Sequence, residues 1–328
     1  MATFFSSLVG MYVAQSFAHS IVASVIAGQA LNAWQIDDPI VRQRFRLMVL
    51  LFPIFSYPCY QLLNPDRGSP IFRLNVLFDS SRWLNMDIWG VVPVSLLFLF
   101  LLAIVSLIFL FQEMIPVLRH SLESRTATHE GKRLDTDTFI QNASKTLAID
   151  TPEVIIVDDD ELIIFSTPGK NSVIVLSTGL SEALTPDQMQ AALAHELAHI
   201  SRSRRPMLLA IFFLRMIMSF NPVALVEFRR AVRNEEKICD DIAVSITHRP
   251  EALAEALKKF YAVCEAPEPV TPQKPLFTPV RLEEYSYNMQ LDTRITRLNQ
   301  NAERRAGGRW FLMLSSFLII ACVNYFVV

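Results

Sequence analysis

The 328-residue sequence is short of charge: only 19% of its residues are Asp, Glu, Lys or Arg, against roughly 25% in a soluble protein. The deficit is concentrated in particular stretches, which points to membrane spans. A basic excess is also missing. With a net charge of -2 and a pI near 6.3, nothing is available to neutralise phosphates, which argues against a nucleic-acid binder. Cys59, Cys239, Cys264 and Cys322 show no paired spacing, so neither a disulfide framework nor a zinc ribbon is expected. The first 36 residues hold no Lys or Arg. Without a positive n-region, the first apolar segment reads as an uncleaved span rather than a signal peptide.

What is present is apolar: 52% of the residues are hydrophobic. Ile88–Phe111 runs 24 residues without a charge, more than the roughly 20 needed to cross the hydrocarbon core. Spans are expected over about 9–31, 47–63 and 88–111, with a fourth over 310–328. Residues 1–111 then form an N-terminal transmembrane region, 112–309 one large domain on one side, and 310–328 a closing helix. The Lys/Arg bias sets the side. Ten arginines flank the domain side of the spans (Arg42, Arg44, Arg46, Arg119, Arg125 and five from Arg294 to Arg309), against three in the loop over 64–87. The domain is predicted to be cytoplasmic, with both termini outside.

Within 112–309, residues 136–149 read as an amphipathic helix, and "EVIIV", "ELIIF" and "SVIVL" as three short strands. Asp158, Asp159 and Asp160 lack the alternating ligands and glycine of a calcium loop, so a hairpin turn is expected. The apolar run over 207–220 holds Arg215 and is too short to span, which places it in the core or against the membrane. Prolines between Pro267 and Pro279 mark a linker.

"TPDQ" at 185–188 starts a helix, with Thr185 as N-cap, Pro186 at the first position and Gln188 three residues after the cap. His195 and His199 then lie one turn apart on one face, with Glu196 rotated roughly 100° from His195. Random placement of 6 His and 17 Glu in this chain gives about 0.006 occurrences of H-E-x-x-H, so accident is a poor account. The helix is apolar on nearly every side, and buried imidazoles and a carboxylate without partners would be costly, whereas a metal satisfies them. A catalytic zinc takes three protein ligands. His248 is one candidate for the third. "NEEKICDD" offers a better one, since Glu236 can ligate while Asp240, four residues on, orients a zinc histidine. Taken alone, "RRAVRNEEKICDD" reads equally as an ordinary charged helix.

The ordered pieces "IVLSTGLSEALTPDQMQAALAHELAHISRSR" and "FNPVALVEFRRAVRNEEKICDDIAVS" resemble the membrane-embedded gluzincin peptidases of the BlaR/MecR signal-transducer type, with the HtpX and CAAX-protease type as cousins. The resemblance implies an α-helical integral membrane protein with an α+β gluzincin-type zinc peptidase domain inserted between the third and fourth transmembrane helices. Carried over by position, His195, His199 and Glu236 would hold one Zn2+, Glu196 would be the general base for a zinc-activated water, and Asp240 would act behind the ligands. Glu235 is a weaker alternative ligand. Two departures stand out: the strand before the metal helix reads "IIFSTPGKN", and the penicillin-binding sensor domain of such transducers does not follow the last span. The resemblance therefore supports the protease and not the signal.

The expected activity is a zinc metalloendopeptidase of the bacterial inner membrane, multi-pass, cutting a cytosolic repressor, itself or a membrane protein, and compatible with a homo-oligomer. A signalling scaffold with secondary or absent proteolysis, and an HtpX-like quality-control protease, are the competing readings. His248, Tyr285, Tyr287 and Arg294 are candidates for oxyanion stabiliser. Arg202, Arg204 and Arg205 are expected to complement the helix dipole and lipid phosphates, and Cys239 to be a small buried residue.

Overall fold

The computed structural model describes residues 2–5, 7–115, 132–134, 138–167, 172–203, 207–265, 291–300 and 310–328. It divides into two compact units: Met1–Ala127 with Met207–Asn234 and Arg305–Val328, and Thr128–Pro206 with Glu235–Arg304.

Among the described residues of the first unit, three helices are long and apolar enough to cross a membrane: α1 (Leu8–Ala33), α2 (Pro39–Leu63) and α3 (Val94–Ile108), which a π-helical turn continues to Met114. The chain is an integral membrane protein. α2 starts eight residues before the expected 47 because Asp38 caps it, accepting from the backbone N–H of Ile40 at 2.8 Å, with Pro39 in the first turn. Pro53 and Pro58 stay inside it, as apolar packing from neighbouring helices allows in a membrane. α3 starts later than expected because Asp87–Ile88 and Val92–Pro93 pair as a small hairpin, with Gly90 at φ +70 in its turn. The run over 207–220 gives only an 11-residue helix, α6 (Met207–Ile217). Its Ile211 and Leu214 pack with Leu50, Met218 and Ala224 in the core, as the short length required. Arg215, fully buried, sits 3.1 Å from Glu113 and donates to the Met218 and Ser219 carbonyls at 3.0 Å, which satisfies a charge that would otherwise be prohibitive there.

The last apolar helix, α10 (Trp310–Tyr325), is shorter, at 16 residues. Beyond it, Val328 donates to the Phe78 carbonyl at 2.8 Å and Leu77 to that of Phe326 at 2.8 Å. Arg67 donates to the Tyr325 and Asn324 carbonyls at 3.0 Å. These bonds put the far end of α10 on the same side as the loop over 64–87.

The second unit is a four-stranded sheet covered by helices. Its strands, β1 (Lys132–Leu134), β2 (Glu153–Val157), β3 (Ile164–Thr167) and β4 (Val173–Ser177), lie in the order β1-β2-β4-β3. β2 and β4 are parallel, while β1 and β3 are antiparallel to their neighbours. The aspartates at 158–160 are therefore not a hairpin turn, because β4 inserts between β2 and β3. Their loop is instead pinned by Thr178, whose hydroxyl accepts from the Asp159 N–H at 3.0 Å, and by Gly179, where a Cβ would lie 2.2 Å from the Asp160 carbonyl. β-branched residues suit the two central strands. Val154, Ile174 and Leu176 bury against α4 (Thr138–Thr146) and α5 (Pro186–Ser203) through Ile140, Leu193 and Leu197. α5 starts as expected: the Thr185 hydroxyl accepts from the Gln188 N–H at 3.4 Å, and the Gln188 side chain accepts from the Thr185 N–H at 3.1 Å. Its alanines let other helices approach closely, with Ala191 and Ala194 packed on Ala243 and Ala254. Those two belong to α7 (Pro222–Thr247) and α8 (Pro250–Glu265); a further helix, α9, covers 291–299.

Candidate metal centre

One turn of α5 separates His195 from His199, so both rings leave the same face and their Nε2 atoms meet at 3.1 Å. α7 brings Glu236 to them. Its two carboxylate oxygens lie 3.6 Å from His195 Nε2 and 3.6 Å from His199 Nε2, and ligand atoms of the three residues fall within 4.8 Å of one another. A tetrahedral ion with bonds of about 2.0–2.2 Å spaces its ligand atoms about 3.3–3.6 Å apart. The three side chains thus fit a zinc ion in both donor type and spacing.

Behind the ligands, Asp240 is 1% exposed and faces His195 Nδ1 at 3.1 Å. The Arg294 guanidinium from α9 grips both Asp240 oxygens, at 2.7 and 2.8 Å, and reaches Glu236 at 3.1 Å. Bidentate pairing of this kind is among the stronger charge-assisted contacts. Burial alone would lower the His195 pKa, yet Asp240 and Glu236 carry it up to about 9. Burial likewise works against the Glu236 and Asp240 carboxylates. Contact with His195, together with Arg294, nevertheless holds Glu236 down to about 2, and Arg294 and His195 hold Asp240 below the usual range. These contacts favour the protonated His195 ring and the ionised Glu236 and Asp240 carboxylates.

His195, Glu196, His199, Glu236 and Arg294 line a cavity of about 340 Å³. Leu253, Leu257 and Phe260 of α8 make it apolar on one side, and Leu162–Ile164 border it on another. β3 is a sheet edge. The Ser177 N–H donates to the Ile163 carbonyl at 3.0 Å, so by the two-residue alternation of a strand the backbone groups of Ile164 and Ser166 point away from β4.

Five sequence candidates, His195, Glu196, His199, Glu236 and Asp240, come together. Glu235 does not join them: it faces Arg202, which donates to it at 2.7 Å in a buried pair. That pair also replaces the expected dipole role of Arg202. His248 is exposed at the end of α7, with φ 55, and does not line the cavity. Tyr285, Tyr287, Arg204 and Arg205 lie outside the described residues. Arg294, weighed in the sequence only as an oxyanion stabiliser, turns out to bind Asp240 and Glu236; no local motif marks such a pairing across 54 residues. Cys239 is buried, as expected, with Sγ 3.5 Å from His199 Nδ1.

The chain is 30% identical over 132 residues to "Protease HtpX" of Haemophilus ducreyi, covering 39% of this chain and 44% of that protein. It is 35% identical over 92 residues to "Protease HtpX" of a Psychrobacter species, covering 25% and 30%. A "Protease HtpX homolog" of Syntrophobacter fumaroxidans is 24% identical over 159 residues, covering 37% and 56%. The chain spans about half or less of the length of these curated relatives. A family model described as BlaR1 peptidase M56 matches residues 86–278, more than half of the 328 residues. The chain belongs to the BlaR1 peptidase M56 family.

Proposed function

We propose that the protein is a membrane-bound zinc metalloendopeptidase in which His195, His199 and Glu236 hold one ion and Glu196 is the general base. The carrying observation is the convergence of the two Nε2 atoms and the Glu236 carboxylate inside the cavity that Glu196 lines. When bound, zinc supplies Lewis acidity toward a water and a scissile carbonyl.

The chain's own residues do the rest. Glu196 follows His195 directly and is only 9% exposed; it takes a proton from a water in the cavity and delivers it to the leaving amine. Asp240 fixes the orientation of the His195 ring, as carboxylates behind metal histidines do. Arg294 commits its guanidinium to Asp240 and Glu236, which makes it a positioning residue. The outward backbone groups of Ile164 and Ser166 offer an extended substrate a strand to pair with, and the apolar wall of α8 receives a side chain.

The substrate is a regulatory or membrane protein, and the Arg distribution supports a cytoplasmic active site in a bacterial inner membrane. The HtpX relatives favour membrane quality control as a second reading of the substrate. A comparison of cellular protein fragments between wild type and Glu196→Gln tests both. Fragments lost in the variant name the substrates, and an unchanged fragment set would remove the peptidase reading.

A further inference from the structure

The first unit carries a cation cluster that the metal centre does not use. On α7, Arg229 and Arg233 are four residues apart, so they share a face, and both are exposed. The nearby carboxylates are already committed. Glu227, with no exposed surface, is bound by Arg46 at 2.9 Å and by Arg230 at 2.7 Å, and it accepts from Ser24 at 2.7 Å. Glu113 pairs with Arg215. Arg229 has a neutral partner, donating to Gln112 at 2.7 Å. Arg233 has no acidic partner among the described residues. Burial, then repulsion by Arg230 and Arg229, lowers the Arg233 pKa against the opposing pull of Glu227, and among the described residues no carboxylate forms an ion pair with either arginine.

Gln112 indicates what supplies one. It lies in the π-helical turn that continues α3, and along the helix and this turn the exposed apolar side chains Leu97, Phe100, Ile104, Leu107 and Phe111 recur every three or four residues and so form one stripe. The stripe leads directly to the Gln112–Arg229 contact. Phe213 and Val226, also exposed, belong to the two helices, α6 and α7, of the arginine end.

We propose that Arg229 and Arg233 bind the phosphodiester headgroup of an anionic glycerophospholipid whose acyl chain lies along the α3 stripe. Two exposed monovalent cations on one helix face match a lipid with a net negative charge. A zwitterionic lipid carries its own ammonium to the same place and loses that advantage. A free phosphate satisfies the arginines but not the stripe, so the lipid is the occupant that uses both.

The test is native mass spectrometry of the full-length protein released from bilayer discs made with phosphatidylglycerol or with phosphatidylcholine. Wild type is expected to retain phosphatidylglycerol over phosphatidylcholine. Arg229→Gln/Arg233→Gln should lower that retention about 30-fold, at about fivefold per arginine. Arg229→Lys/Arg233→Lys should restore most of it, and Arg44→Gln, an exposed arginine outside the cluster, should leave it unchanged. Melting temperatures of all variants report whether they fold, and the lysine pair carries the test if the glutamine pair does not. Equal retention of the two lipids by wild type would overturn the proposal, as would undiminished retention in the glutamine pair or a lysine pair that binds no better than it. Displacement of the lipid by millimolar inorganic phosphate alone would mark a free-anion site and overturn it equally.

Discussion

At the scale of residues, the assignment separates holding a metal from using it. His195→Ala and Glu236→Ala should each leave the purified protein with less than stoichiometric zinc by elemental analysis. Glu196→Gln should keep the metal and slow cleavage by about 10² to 10⁴, the usual contribution of a general base. Stoichiometric zinc in the doubly substituted His195→Ala/Glu236→Ala protein would end the ligand assignment. A pH dependence follows from the His195 imidazolium. Its pKa is raised to about 9, so the proton is present at pH 7.5 and must leave before the ring can ligate. Zinc uptake at that pH should release about one proton and tighten as pH rises toward 9. Calorimetry in buffers of different ionisation enthalpy measures the number, and zero would contradict the site's charge state. The side chains that converge were legible as candidates because H-E-x-x-H and E-x-x-x-D are short and helical, so spacing sets which face each takes, while the choice of Glu236 over His248 or Glu235 came from the family resemblance. Arg294 was not legible, because its partnership with Asp240 depends on how α9 packs.

At the scale of elements, the start of α5 and the edge of β3 make separate demands. Thr185→Ala removes the hydroxyl from a reciprocal cap and should cost about 1 kcal/mol, visible as a lower melting temperature with zinc stoichiometry intact. Ser166→Pro should leave the metal bound but weaken cleavage by raising KM, because proline removes a donor at a position pointing away from the sheet. An unchanged KM would take β3 out of substrate binding. Element types were read well and their limits less so. Thr185, Pro186 and Gln188 announced the helix chemically, whereas the sheet order was hidden. The apolar runs at 153–157 and 172–176 look like successive strands with another between them, and nothing in them says that the third pairs with the first in parallel.

At the scale of the whole molecule, the spans were legible from apolar length, and their ends were not, since Asp38 and the turn at Gly90 moved two starts by several residues. The bonds from Val328 to Phe78 and from Arg67 to the end of α10 tie the C-terminal segment to the 64–87 loop. The arginine bias predicts that the arginine-rich ends face the cytoplasm; on that reading a reporter fused after Val328 should behave as periplasmic, and cytoplasmic reporter activity would invert the orientation. The short edge of β3 has one more consequence. A polypeptide can be laid along it only where its own helical or sheet hydrogen bonds have been given up, and a transmembrane helix gives these up reluctantly because lipid offers nothing in return. Selection would then follow the ease of local unwinding more than the identity of side chains. If membrane proteins are the substrates, helices broken by glycine or proline would be cut, and well-formed ones spared.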